Sequence, residues 1–104
     1  MNSEVLIERG TTVVRRLRLK PGETLPWHRD PHYRVTVVLD GDALAIEFRD
    51  GGETLRVEVS PGQVDWEEPT DLLHRAVNVG SRTYEEVTIF LLDRPGAPLQ
   101  PHGA

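Results

Sequence analysis

Short segments of this chain alternate between hydrophobic and polar residues with a period of two. The clearest is Thr12–Leu19, in which Val13, Arg15, Leu17 and Leu19 share one side. Successive side chains of a β-strand point to opposite faces, so this segment is predicted to be a strand. Further segments with an alternating or β-prone pattern are 33–39, 44–48, 55–59, 73–78 and 87–92.

Glycine and proline separate these segments at short intervals. The turn signals are Pro21-Gly22, Asp40-Gly41, Asp50-Gly51-Gly52, Pro61-Gly62, Pro69 and Gly80-Ser81. Glycine permits a positive φ and proline fixes φ, so these residues favour chain reversals. No window has a sustained apolar repeat of helical period. The chain is therefore predicted to be an all-β sandwich or barrel.

Residues 93–104 are rich in proline, with Pro95, Pro98 and Pro101. Proline lacks an N–H group, so this segment is predicted to be neither a helix nor a central strand. We interpret it either as a loose C-terminal tail or as an extended strap across a partner or a pocket mouth. The predicted β-domain therefore covers residues 1–92.

Length and charge restrict the class of protein. The chain has 104 residues, enough for one core and too few for a second domain. Its 12 Lys and Arg against 17 Asp and Glu give a formal net charge of -5, which argues against a nucleic-acid partner. With no cysteine, disulfides and thiolate chemistry are excluded. No segment has the apolar length of a signal peptide or membrane span, so we expect a soluble cytoplasmic protein with no membrane partner.

Two segments resemble the paired motifs of the cupin family, G-x5-H-x-H-x3-E-x6-G and G-x5-P-x-G-x2-H-x3-N. In the first segment, the residues at motif positions are Gly22, His28, Asp30, Arg34 and Gly41. In the second, they are Gly62, Pro69, Asp71, His74 and Asn78, with one extra residue between Gly62 and Pro69. The resemblance covers residues 11 to 92 and is to a small single-domain cupin of the conserved-barrel type. It implies a jelly-roll β-barrel, also called a double-stranded β-helix.

The resemblance also implies a metal site, although the chain departs from the motif at two of its ligand positions. His28 and His74 stand where the family has metal-binding histidines. Asp30 replaces the second histidine, and Arg34 replaces the glutamate. Two imidazoles and one carboxylate suit non-heme iron, and nickel, zinc or manganese would also fit. His32 is an alternative third ligand or a solvated loop residue.

Arg34 is predicted to share the inward face of its strand with Thr36 and Val38, and three interpretations stay open. It binds a carboxylate or phosphate of a substrate, for which its planar fork is suited. Alternatively, it pairs with Asp30 or Asp71 in a pocket without metal. In the third interpretation the strand register is off by one residue and Arg34 is solvated.

The remaining predictions concern the pocket wall and the back of the barrel. Trp27 and Trp66 are predicted to be core or pocket-wall residues, and both are kept as candidate substrate-binding residues. Four glutamates are predicted to be solvated or at strand ends: Glu67, Glu68, Glu85 and Glu86. Apolar residues of 33–39 and 87–92 would face away from the pocket, and such a face requires a cover. The resemblance implies that the cover is a second subunit, so a homodimer is expected.

Two functions follow from these expectations. The first is a metal-dependent enzyme, such as an isomerase, lyase or dioxygenase, that acts on a small anionic molecule held by Arg34. The alternative is a binding or sensing module for a small molecule, without metal or catalysis. A purely structural domain is a third reading. The enzyme assignment rests on the family resemblance because one fold can host many chemistries.

Overall fold

A computed structural model describes residues 1–95, and all regular secondary structure in that range is β-strand. Its nine strands are β1 (Asn2–Arg9), β2 (Thr12–Leu19), β3 (His28–Asp30), β4 (His32–Asp40), β5 (Ala43–Phe48), β6 (Leu55–Glu58), β7 (Val64–Glu67), β8 (Thr70–Asn78) and β9 (Tyr84–Pro95). The all-β prediction is confirmed. Within residues 1–95, no helix is long and apolar enough to cross a membrane.

The strands form two antiparallel sheets. One sheet has the order β1-β2-β9-β4-β7, and the other has the order β3-β8-β5-β6. Residues that alternate along β2, β4 and β9 point between the sheets, which places Leu17, Val38 and Tyr84 in one buried cluster. The two sheets therefore enclose an interior, as a jelly-roll barrel does.

The interior changes character along its length. Leu19, Val38 and Tyr84 are almost fully buried and close one end with apolar packing. Four residues back along β2 and β4, the inward positions are Arg15 and Arg34. One end of the barrel is thus a hydrophobic core, and the other end is lined by charged side chains.

Two residues of the cupin-like motifs have structural roles. Gly41 has φ +130°, and a Cβ at this position would lie 2.9 Å from Cδ1 of Tyr84. Asn78 is 1% exposed. Its Nδ2 donates to the carbonyl oxygens of Leu19 and Arg82, both at 2.8 Å, and its Oδ1 accepts from the N–H of Gly80 at 2.9 Å. These contacts tie the loop before β9 to the end of β2.

The strand boundaries differ from the sequence pattern in several places. β1, β3 and β7 are not among the strand segments that the pattern indicated, and β8 and β9 each begin three residues before the predicted segments. β9 continues to Pro95, three residues past the predicted end of the domain at residue 92. The rest of the predicted C-terminal tail, 96–104, lies outside the described residues.

Candidate metal centre

Three side chains from two adjacent strands converge at the charged end of the barrel. His28 on β3 pairs in register with His74 on β8, and their ring centroids lie 4.5 Å apart. Asp30, two residues after His28, turns its Oδ2 to both rings. This oxygen lies 2.8 Å from Nε2 of His74 and 3.4 Å from Nε2 of His28.

The backbone fixes which nitrogen of each ring faces the carboxylate. Nδ1 of His28 donates to the carbonyl oxygen of Pro26 at 2.7 Å, and Nδ1 of His74 donates to that of Leu72 at 2.8 Å. A carbonyl oxygen only accepts hydrogen bonds, so each Nδ1 carries a proton. In the neutral ring, Nε2 then presents its lone pair toward Asp30.

This arrangement of donors fits a divalent metal ion. One ligand atom each from His28, Asp30 and His74 lie within 4.8 Å of one another. Metal–ligand bonds of about 2.0–2.2 Å bring donor atoms into this range of separations. Lone pairs that face each other repel, so a proton or a metal cation must lie among them. Two imidazoles and one carboxylate suit iron, nickel, zinc or manganese.

The charge state of Asp30 supports cation binding. Burial would raise the pKa of Asp30, but the hydrogen bond with His28 and the positive charge of Arg34 outweigh it and lower the pKa to about 2. The same hydrogen bond raises the pKa of His28 above its ordinary value of 6.5, although burial opposes this shift. The carboxylate is therefore ionised at neutral pH, and His28 holds its proton more tightly than a free histidine does.

Arg34 lies on the inward face of β4, and its side chain is 12% exposed. Its Nη2 lies 3.5 Å from Oδ2 of Asp30 and 3.3 Å from Oε1 of Glu67. The interpretation of Arg34 as a solvated surface residue is wrong. Of the two carboxylates weighed as its partner, Asp30 is the one it contacts. Asp71 instead accepts a hydrogen bond from Nε of Arg29 through its backbone oxygen.

The barrel interior contains a cavity of about 220 Å³ beside these residues. Its polar and charged lining comprises Arg15, His28, Asp30, Arg34, Thr36, Gln63, Asp65, Glu67, His74, Tyr84, Glu86 and Thr88. The prediction that Glu86 is solvated or at a strand end is therefore wrong. Glu67 is at a strand end as predicted, since it is the last residue of β7, but its side chain lines the cavity. Alternation along β7 and β9 turns both side chains inward. Burial raises the pKa of Glu67, which Arg34 partly offsets.

The two tryptophans do not line this cavity, so their predicted place at the pocket is corrected. Because Asp65 and Glu67 point inward on β7, Trp66 between them points outward and is 52% exposed. Its ring packs against Tyr33 at a centroid distance of 5.4 Å. Trp27 lies beneath the guanidinium of Arg75, 4.3 Å from the ring centroid.

A wider opening of about 340 Å³ leads to the candidate metal centre. His32 lines this opening together with His28 and Asp30, but it is not part of the group of three converging ligands. Arg15 lines both the opening and the interior cavity. The alternation of Thr12–Leu19 placed Arg15 on one side with Leu17, but no feature of the sequence indicated that this side meets His28, Asp30 and His74.

Comparisons with known proteins give relatives only at the level of structure. No protein-family model matches this chain, and no curated protein matches it. A cupin domain from Bordetella pertussis Tohama I matches with a TM-score of 0.76 and 22% identity, over 86% of this chain and 91% of that one. The fold is that of the cupins. The prediction of a small cupin-like jelly-roll barrel is confirmed.

Two further structures of this fold show how widely it is used. A cupin family protein with a double-stranded β-helix from Methanocaldococcus jannaschii matches with a TM-score of 0.68 and 18% identity, over 91% of this chain and 80% of that one. An oxalate oxidase, solved with the substrate analogue glycolate, matches with a TM-score of 0.60 and 25% identity. The match covers 83% of this chain and 44% of the oxidase. Some proteins of this fold are therefore enzymes.

Proposed function

We propose that this cupin-fold protein binds a divalent metal ion through His28, Asp30 and His74 and converts a small acid at that site. The observation that carries the proposal is the convergence of two imidazole Nε2 atoms and one ionised carboxylate on a single point. Both Nδ1 atoms are tied to backbone carbonyls, which orients the rings for metal binding. Iron, nickel, zinc and manganese are the candidate ions.

The metal and the residues around this point would have different roles at such a site. A bound metal would act as a Lewis acid toward an oxygen of the ligand. The hydrogen bond with His28 and, after it, the charge of Arg34 lower the pKa of Asp30, and Arg34 holds the carboxylate by the contact at 3.5 Å. The cavity of about 220 Å³ is small, so the ligand is a small metabolite. An isomerase, lyase or dioxygenase reaction is compatible with this arrangement.

A binding module without metal is the second candidate function. The observation in its favour is the chain of contacts that joins His74, Asp30, Arg34 and Glu67 without any added ion. In that case a proton on an imidazole would replace the metal between Nε2 and the carboxylate. Metal binding by the purified protein distinguishes the two functions.

The test is a calorimetric titration of tag-free protein with Mn²⁺, Fe²⁺, Ni²⁺ and Zn²⁺. We expect one ion per chain, and His74→Gln should weaken binding at least about tenfold because it removes one of three protein ligands. His32→Gln is the matched control, since His32 lies at the opening but outside the ligand group. It should change the affinity by less than about twofold. Equal effects of the two variants, or no binding of any of these ions, would reject the metal site.

We also propose that the protein is a homodimer that buries the outer face of the five-stranded sheet. The register of this sheet aligns one apolar residue from each strand in a row: Ile7, Val14, Ile89, Val35 and Trp66. Directly opposite residues in antiparallel strands lie on the same face. Ile7 and Trp66, at the two ends of the row, are each 52% exposed. A second copy of this chain is the proposed cover for the row.

A further inference from the structure

The guanidinium group of Arg15 lines the barrel cavity, and not all of its N–H donors have hydrogen-bond partners. Its Nε is buried and has no hydrogen-bond partner. Its Nη2 lies 3.5 Å from Oε2 of Glu86, well beyond the 2.7–2.9 Å typical of a charge-assisted hydrogen bond. A buried N–H group without a partner is costly, and native structures contain few of them. Arg15 therefore has donor capacity that an acceptor in the cavity would satisfy.

Glu86 does not neutralise Arg15 fully because both of its oxygens have closer partners. The hydroxyl of Tyr84 donates to Oε1 at 2.6 Å. The hydroxyl of Thr88 donates to Oε2, the same oxygen that faces Arg15. The strongest contacts of Glu86 are therefore with these two hydroxyls, and the positive charge of Arg15 stays available.

Arg34 differs from Arg15 in this respect, although both line the cavity. Its Nη2 contacts Asp30 and Glu67, and its Nη1 donates to the backbone oxygens of His32 and Glu68 at 3.3 and 3.5 Å. An anionic ligand at Arg34 would have to compete with two carboxylates. At Arg15 it would compete with one carboxylate, that of Glu86, whose oxygens have closer contacts with two hydroxyls.

The position of Arg15 also suits a ligand that reaches the metal centre. Its guanidinium lies over the ring of Phe90, 5.0 Å from the centroid, which restrains the orientation of the planar fork. Arg15, His28 and Asp30 line both the wide opening and the interior cavity. A molecule that occupies either space therefore meets the guanidinium of Arg15 together with His28 and Asp30.

We propose that Arg15 is the anion anchor of this site and binds the carboxylate of a small carboxylic acid whose second oxygen donor faces His28, Asp30 and His74. This inference rests on the proposed function and names its ligand class. The volume of about 220 Å³ lies below the roughly 300–1,000 Å³ of pockets for drug-sized ligands, so acids of two to four carbons fit the class. The planar fork of Arg15 matches a carboxylate in a bidentate geometry.

The test measures binding of glycolate, malonate and succinate by calorimetry, with the Mn²⁺-loaded and the metal-free protein. For the acid that binds the wild type most tightly, Arg15→Gln should lower the affinity at least about tenfold. Arg15→Lys should recover part of the loss, since it keeps the charge but not the fork. Malonamide, a neutral molecule of similar size to malonate, should bind both the wild type and Arg15→Gln weakly and equally.

Arg16→Gln is the matched control. Arg16 is the next residue of the same strand, points to the outer face of the sheet and donates to Glu85 at 2.7 Å. This variant should leave acid binding within about twofold of the wild type. Melting temperatures of all three variants show whether each one is folded. If Arg15→Gln does not fold, Arg15→Lys tests the anchor instead.

The outcomes separate this inference from the metal proposal. If Mn²⁺ binds but Arg15→Gln leaves acid affinity unchanged, or if none of the three acids binds at about 10 mM, the anchor is overturned and the metal site stands. If no metal binds while acid binding still depends on Arg15, the metal site falls and the anchor stands.

Discussion

At the scale of single residues, the cupin-like motif positions divide between chemistry and architecture. His28 and His74 supply the two imidazoles of the candidate metal centre, and Asp30 supplies a carboxylate where the family motif has a histidine. Gly41 and Asn78 do not approach the centre. Gly41 admits the ring of Tyr84, and Asn78 ties the loop before β9 to the end of β2 by side-chain hydrogen bonds. At Gly41 and Asn78, the motif residue therefore serves the geometry of the chain and not metal binding.

The raised pKa of His28 predicts opposite pH trends for the metal-free and the metal-loaded protein. Protonated His28 bonds to Asp30, so its stabilisation is complete below about pH 6.5 and is lost as the pH rises through its raised pKa. A metal competes with this proton, so metal binding strengthens over the same rise in pH. In EDTA, the melting temperature should fall as the pH rises above 6.5. The increase in melting temperature on adding Mn²⁺ should become larger over the same rise in pH.

His28→Gln is the control for this prediction. It removes the titrating ring, so both pH trends should become flat in this window. If the wild type and His28→Gln showed the same pH dependence from about pH 6 to 9, His28 would not be the group that links pH to metal binding.

Arg34→Gln should destabilise the fold and strengthen metal binding. It leaves the mostly buried Asp30 and the partly buried Glu67 without their cationic partner, which costs about 1–3 kcal/mol of unfolding free energy. It also removes a positive charge beside the metal centre, so metal affinity should rise about tenfold or more. Urea denaturation in EDTA and Mn²⁺ titration measure the two effects. Unchanged values in both would show that Arg34 does not act on Asp30.

At the scale of secondary-structure elements, the sequence predicted strands where one face is buried. β2 has the predicted bounds, and the strands at 33–39 and 44–48 are each extended by one residue at one or both ends. β1 is exposed on both faces, so its sequence does not need to alternate between buried apolar and exposed polar residues. β3 has three residues, too few to show a period.

The candidate site could be predicted only in part for a related reason. The resemblance to cupins identified His28, Asp30 and His74 as candidate ligands. It does not give the relation between strands that are distant in sequence, which placed Arg15 near the metal centre. The prediction that Trp66 lines the pocket is wrong because β7, paired with β4, points Asp65 and Glu67 inward and Trp66 outward.

At the scale of the whole molecule, the apolar outer face of the five-stranded sheet predicts a homodimer. Val35→Lys would place a charge in the centre of the row that runs from Ile7 to Trp66. It should convert the dimer to a monomer at low micromolar concentration, because burying an unpaired charge in an interface is costly. Light scattering measures the mass, and Arg56→Glu on the smaller sheet is the control that should stay dimeric. A wild-type monomer at high micromolar concentration would contradict the prediction.

The central claim is that His28, Asp30 and His74 bind one metal ion in the cupin-fold barrel. The most direct measurement is anomalous X-ray diffraction from crystals grown with Mn²⁺ or Zn²⁺. We expect one strong peak per chain at about 2.0–2.2 Å from Nε2 of His28, Nε2 of His74 and a carboxylate oxygen of Asp30. A peak bound elsewhere, or no peak while Asp30 keeps its direct contacts with both rings, would contradict it.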